Sequence, residues 1–195
     1  QPSQEPSGLD LQLSLSVIGR TLPEQPAWGK GPIHPGDELL LSRALGTGIL
    51  FAAAMQGRCQ GPWMDAALKQ LAQSQHHRLR ELQNINDTTP ANIHACTDVT
   101  GFGLLGHLNE MIHASPGIQV ELEASQIPLM EGVQTLLEEG IASTAAPSNR
   151  EAWCSLGSTV LLNKEANITN KRTSQTTREL LIDPQTCGPL LVSCN

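Results

Sequence analysis

The chain has 195 residues, 39% of them hydrophobic, and its 12 Lys and Arg against 19 Asp and Glu leave a formal charge of −7. That length and apolar content support one domain, or one domain with an appendage, around a buried core. The negative charge argues against a general nucleic-acid or anionic-membrane surface, and two Phe, three Trp and no Tyr leave little on which to stack bases. No stretch approaches the roughly 20 apolar residues of a membrane span. The beginning QPSQEPSGLD lacks a signal-peptide pattern and reads as an internal-fragment boundary. Cys59, Cys96, Cys154, Cys187 and Cys194 form no C-x-x-C pair, and their odd number closes no disulfide framework. Incidental or buried thiols in a reducing cytoplasm are expected.

In chain order, LQLSLSVIGR sets Leu11, Leu13, Leu15 and Val17 against polar positions, a period of two that predicts a half-buried strand. TLPEQPAWGKGPIHPGD is a Gly- and Pro-rich connector. ELLLS predicts a short strand over Leu39 to Leu41, leading through RALGTG into a helix in ILFAAAMQG that Gly57 closes. Residues 62–83 predict a helix opened by Pro62, with Leu68, Leu71, Leu79 and Leu82 at helical spacing and a break near Gln73 to His76. NDTTP is a turn and ANIHACTDV a second strand. GLLGHLNEMIHAS then predicts a helix with Leu104, Leu105, Leu108, Met111 and Ile112 on one face, stopped at Ser115-Pro116-Gly117.

IQVELEAS alternates Ile118, Val120 and Leu122 as a strand does, and a helix is expected from about Met130 to Glu139. IASTAAPSNREAWCSLGS reads as irregular with one helical turn at its centre, STVLLN as a strand, and residues 164–177 as loop or helix. RELLIDPQTCGPLLVSCN reads as two apolar strand-like runs around a turn. Strands alternating with helices predict an α/β (α+β) domain with a mixed sheet and packed helices.

Three glycine-bearing turns stand out: LGTG (Leu45 to Gly48), TGFG (Thr100 to Gly103) and TCG (Thr186 to Gly188). Two of them sit between a strand and a helix, where backbone N–H groups can cradle a phosphate. The second follows Asp98 in TDVTGFGLLGHLNEM, at the end of a strand. A carboxylate there is suited to a Mg²⁺ that bridges to phosphate, with Gly101 and Gly103 allowing close approach of the backbone. Asp98 or Thr100 could instead cap the helix. GFGLLG (Gly101 to Gly106) has the letters of a dinucleotide fingerprint, for which a tight turn with close packing at Gly106 is the structural alternative. Asp183 reads as an Asp-Pro turn initiator, and His94 and His107 as polar contacts or satisfied histidines. There is no G-x-x-x-x-G-K-[ST], G-x-S-x-G or H-E-x-x-H.

The string TDVTGFGLLGHLNEM resembles the most distinctive motif of the selenophosphate synthetases (selenide, water dikinases), members of the AIR synthetase-like superfamily. GKGPIHPGDELLLSRALGTGIL, IPLMEGVQTLLEEGIASTAAPSNR and LLIDPQTCGPLL resemble further segments of that family in the right order, and SLSVIG resembles the end of its N-terminal domain. The resemblance implies an AIR synthetase C-terminal-domain-like fold. Residues 1–20 would be a remnant of the N-terminal ATP-binding domain, 21–37 a linker, and 38–195 a C-terminal domain truncated at its end. It further implies conversion of selenide, ATP and water to selenophosphate, AMP and phosphate, with Mg²⁺ and ATP bound between two domains and a homodimer as a possible assembly.

Asp98 maps onto one of the family's metal aspartates, and Thr97, Thr100, Gly101, Gly103 and Asn149 are the polar and backbone candidates for the nucleotide. The family's other metal aspartates, its reactive Cys or Sec and its Lys belong to the N-terminal domain, so no catalytic residue is expected here and the isolated chain is expected to be inactive. The alternatives are another AIR synthetase-like ATP enzyme or a degenerate interaction domain. Arg43-Ala44 stands where the family has Lys-Pro, and Cys187 and Pro189 where it has Ser (or Ala) and Gly.

Overall fold

The computed structural model describes residues 14–21, 27–88, 92–155, 160–163 and 174–195. Leu11 and Leu13, and the loop-or-helix stretch 164–173, lie outside the described residues. The elements run β1 (Glu38–Leu41), α1 (Thr47–Met55), α2 (Gly61–Ala72), α3 (His76–Thr88), β2 (Ile93–Asp98), α4 (Gly103–His113), β3 (Val120–Glu123), α5 (Val133–Glu138), α6 (Ala146–Ser155), β4 (Val160–Asn163), α7 (Ser174–Leu181) and β5 (Leu190–Cys194).

The last strand lies in the middle. β5 pairs antiparallel with β1 on one side and with β2 on the other, Leu191 facing both Leu41 and Thr97. β3 and β4 form a separate parallel pair, so antiparallel and parallel pairing both occur, each in its own sheet. Parallel neighbours need a crossover connection, and α5 and α6 lie within it. Leu45 and Leu129, outside the named strands, form an isolated parallel bridge. Side chains alternate across β2, so Thr97 is buried on the core side and Asp98 is exposed on the other.

All five apolar residues expected on one face of α4 are buried, and they join Leu45, Ile49, Leu50, Val99, Leu136 and Leu191 in the core. The expected break in the 62–83 helix is real, because Gln73 to Gln75 separate α2 from α3. The residues released there are used. Gln75 Oε1 accepts the Ser42 hydroxyl at 2.5 Å, and its Nε2 donates to Gly188 O at 2.9 Å. Arg43 donates to Cys187 O at 3.1 Å and also to Gln73 O. Breaking the helix thus ties its two halves to the end of β1 and to the turn before β5.

Three sequence expectations are corrected. Residues 14–21 form no strand, and Leu15, Val17 and Ile18 are 88%, 84% and 97% exposed. The period-two pattern is present, but no described strand pairs with it, and a lone strand leaves its backbone groups to water. The segment expected to be irregular contains the ten-residue α6, with Pro147 in its first turn as helix starts tolerate. The first apolar run before Asp183 belongs to a helix: Thr177, Leu180 and Leu181 are buried at helical spacing, and Glu179 receives a two-pronged ion pair from Arg150 of α6 at 2.6 and 2.9 Å.

Glycines mark where backbones touch. A Cβ on Gly188 would lie 2.0 Å from Val99 O, whereas one on Gly101 would meet nothing within 4 Å. Gly188→Ala is therefore expected to lower unfolding free energy by on the order of 3 kcal/mol, as overpacking a backbone contact does. Gly101→Ala should stay within about 0.5 kcal/mol. Urea unfolding of the two variants decides it; equal costs would contradict the packing described.

Candidate functional site

The three glycine-bearing turns, far apart in sequence, meet around Gln185. Its Oε1 accepts from Gly46 N–H at 3.0 Å and from the Thr47 N–H and hydroxyl at 3.3 Å. Asp183 Oδ2 accepts from Gly48 N–H at 3.1 Å and Ile49 N–H at 3.3 Å, and from Gln185 Nε2 at 2.8 Å. Thr186 N–H donates to the Thr47 hydroxyl at 2.8 Å. The four N–H groups that a helix start leaves unpaired are thus satisfied in α1 by the protein's own Asp183 and Gln185. The LGTG turn is consequently not an open phosphate cradle. A Cβ on Gly48 would lie 2.4 Å from Asp183 Oδ1, so the glycine admits the carboxylate.

Asp183 is more than a turn initiator. It is buried, and its Oδ1 has no hydrogen-bond partner. Burial pushes its carboxyl up to about 7, against the lowering effect of hydrogen bonds from Ile49, Gln185 and Gly48.

The TDVTGFG turn is clamped from the same side. Val99 N–H donates to Pro189 O at 2.9 Å, and Gln185 N–H donates to Thr100 O at 2.9 Å, which also accepts from Gly103 N–H at 3.0 Å. Gly101 O accepts from Asn149 Nδ2 at 2.8 Å, and the same amide donates to Ile182 O at 2.9 Å. Gly103 has φ 69°, and a Cβ there would lie 2.7 Å from the Ile182 carbonyl carbon. Its missing side chain is used against α7's end. Neither Asp98 nor Thr100 caps α4, whose N-cap is Phe102 without a side-chain cap bond. Asp98 is left exposed at the end of β2, its carboxylate without a hydrogen-bond or ion-pair partner among the described residues.

The structure therefore brings together Thr100, Gly101, Gly103 and Asn149, with Asp98 beside them and Thr97 facing the core. Asp98 and the half-buried Thr100 hydroxyl are hard oxygen donors, a set that suits Mg²⁺, which commonly takes one or two carboxylates plus phosphate oxygens. Among the described residues no three His, Cys, Asp or Glu side chains converge on a metal position. Cys96, sharing the outer face with Asp98, is pushed up to about 11 by burial and by the Asp98 charge, which leaves it a poor nucleophile at neutral pH. Cys187 is exposed at φ 46° in the turn before β5.

At the other end of the sheet, Asp37 receives His34 N–H at 2.9 Å, His94 Nδ1 at 2.9 Å and the Ser193 hydroxyl. Burial raises its carboxyl, but these bonds outweigh burial and hold it below the usual range. His94 is thus a satisfied histidine that anchors the connector. A groove of about 780 Å³ opens between β1 and β3, lined by His34, Glu38, Leu39, Leu122 and Ile127 among others, and none of the expected site residues lines it.

Residues 34–195 match the family described as AIR synthase related protein, C-terminal domain. The chain belongs to that family. It is 31% identical over 179 residues to a selenide, water dikinase of Desulfitobacterium hafniense, covering 92% of this chain and 47% of that protein. It is 36% identical over 162 residues to one of Pseudomonas straminea (82% and 40%), and 32% over 184 to one of Geobacter metallireducens (94% and 48%). The chain spans about half the length of these relatives. The resemblance drawn from the motifs is borne out, and the AIR synthase related domain is the α/β fold described above. No helix among the described residues is long and apolar enough to cross a membrane.

What sequence reasoning missed here is Gln185, whose only signal was its place in the Asp-Pro-Gln-Thr string. The buried Asp183 generates a pH prediction. Its folded value, about 7, lies above the ordinary 3.8, so the native state keeps a proton that the unfolded chain releases between those values. This contribution to stability is complete below the lower value and is lost as pH rises through about 7. Asp183→Asn, which keeps an acceptor for Gly48 and Ile49 but does not titrate, is expected to remove that fall in unfolding free energy. Urea unfolding across the window checks it, and an unaltered pH slope in the variant contradicts it.

Proposed function

We propose that in the intact protein this chain is the C-terminal domain of an ATP-dependent enzyme making selenophosphate from selenide, ATP and water, with AMP and phosphate as the other products. In this reading residues 1–20 end a preceding ATP-binding domain, 21–37 link the two, and 38–195 supply one wall of the Mg-ATP site. The remaining metal carboxylates and the reactive Cys or Sec come from the preceding domain. The isolated chain then binds incompletely and does not turn over. A cytoplasmic location and a homodimeric assembly complete the proposal.

The observation that carries the reading is the exposed Asp98 carboxylate, without a partner among the described residues and held at the end of β2 by a turn that Pro189, Gln185 and Asn149 brace, in a chain matching selenide, water dikinases over most of its length. Among the described residues no group neutralises it. Asp98 would hold Mg²⁺, with Thr100 beside it. The cation's chemistry there is to neutralise and bridge phosphate oxygens. The chain's own residues do the rest by position. Asn149 fixes Gly101 so that the exposed backbone of the turn keeps one shape, and Gln185 fixes Thr100. Both leave the outer surface of the turn open to a ligand.

Selenide-dependent AMP formation by the intact protein is the test. Asp98→Asn is expected to lower it by more than about 100-fold, beyond the usual loss for an outer-shell metal partner, with no change in thermal unfolding because the side chain is exposed. The 195-residue chain alone should release no AMP. Wild-type rates in the Asp98 variant would contradict the proposal, as would turnover by the isolated chain.

A further inference from the structure

A line of polar contacts leads from the connector to the TDVTGFG turn and is not explained by the roles above. Lys30 Nζ donates to Glu110 Oε2 at 2.7 Å, and the same carboxylate oxygen lies 3.1 Å from His107 Nδ1. His107 Nε2 lies 3.1 Å from the Thr100 hydroxyl. His107 is buried, on α4 one turn into the helix, and Glu110 follows it by three residues on the same face. The Lys30 hydrogen bond, opposed by burial and helped by the nearby charges, holds the Glu110 carboxyl below its usual range, so it is an acceptor only.

The hydrogen-bond directions follow. A carboxylate facing Nδ1 requires the proton to sit on Nδ1. In the neutral ring Nε2 is then a bare lone pair, and it can only accept. Thr100 must donate its hydroxyl proton to Nε2, which turns both oxygen lone pairs of its Oγ1 away from the ring. A hydroxyl fixed in that sense is an acceptor toward anything else it meets. Its carbonyl is already taken by Gln185 and Gly103, so the acceptor that Thr100 has left is that one oriented oxygen.

We propose that His107 is a positioning residue. Through the Lys30–Glu110–His107–Thr100 chain it aims the Thr100 hydroxyl oxygen outward as a second hard ligand, next to the Asp98 carboxylate, for a divalent cation. The inference rests on the metal reading of Asp98 and deepens it. Outer-shell partners of this kind commonly govern metal affinity by 10–100-fold.

The test measures Mn²⁺ binding, by electron paramagnetic resonance of the free ion, to the intact protein and to five variants. Thr100→Val removes the oxygen while keeping a β-branched side chain of similar shape. His107→Asn reaches only the Nδ1 position, so Glu110 keeps a donor and Thr100 loses its acceptor. His107→Gln reaches the Nε2 position and can accept from Thr100. Asp98→Asn reports on the parent reading, and Lys30→Met on the far end of the chain. Thr100→Val and His107→Asn are expected to weaken Mn²⁺ by about tenfold, with Gln restoring most of what Asn loses and Lys30→Met giving a smaller loss.

If Asp98→Asn weakens Mn²⁺ while Thr100→Val and His107→Asn bind as wild type, the inference is overturned and the metal reading stands. If Asp98→Asn also binds as wild type, both fall. The tautomer needs no variant: a long-range ¹H–¹⁵N correlation spectrum of the wild-type protein should show the His107 proton on Nδ1. A proton resident on Nε2, whether or not Nδ1 also carries one, overturns the proposal even if every variant unfolds.

Discussion

The domain depends on a buried polar turn placed on the start of a helix. Asp183 and Gln185 satisfy all four backbone N–H groups that α1 would otherwise leave unpaired, and they do so from inside the protein, where water does not compete. An unpaired buried N–H costs about 1–3 kcal/mol, so this arrangement separates a folded α1 from an untenable one. The cost falls on Asp183, whose second oxygen is buried without a partner. Burial keeps that carboxyl reluctant to ionise. The helix start attracts the negative charge while the surrounding core opposes it.

From that anchor the candidate site follows. The backbone N–H of Gln185 holds Thr100, the carbonyl of Pro189 holds Val99, and β5 continues directly from the turn to pair with β1 and β2. One short segment therefore sets the position of two glycine turns and the centre of a sheet. Asp98 needs no bond of its own to be placed, since it is the last residue of a strand whose register and exit are both braced. Pro189 fits this arrangement through its carbonyl, the group the turn requires of it, and its missing N–H is not called on by Val99. Arg43 likewise supports Cys187 O, so the departures from the family pattern on both sides of this contact are accommodated.

Much of this was legible in the sequence, where period and composition act locally. The α4 face was readable because Leu104, Leu105, Leu108, Met111 and Ile112 repeat at helical spacing and have no other way to leave water. The break near Gln73 was readable because the polar QSQHH stretch interrupts that spacing. The strand expected at Leu15 and Val17 was not realised because a period of two states which face is apolar, not whether a partner edge exists. α6 was obscured by its proline and serine, which belong to a helix start. α7 was misread because three apolar letters in a row, Leu180 to Ile182, do not separate a buried helix from a strand. At the site, the glycine turns were recognisable one by one. Their meeting around Gln185 spans about 140 residues of chain, and no local pattern encodes a contact of that length. Thr97 and Asp98 were named together, yet adjacent strand residues face opposite ways, and only Asp98 faces outward.

In the proposed function Asp98 is the point where this domain meets a nucleotide-bound cation. Diffraction from the intact protein, crystallised with Mn²⁺ and a non-hydrolysable ATP analogue and recorded at a wavelength where manganese scatters anomalously, addresses it without reliance on turnover. An anomalous peak within about 2.3 Å of an Asp98 carboxylate oxygen, with the nucleotide phosphates on its far side, is the expected result. Nucleotide and manganese bound in order elsewhere, with Asp98 facing only solvent, would contradict it.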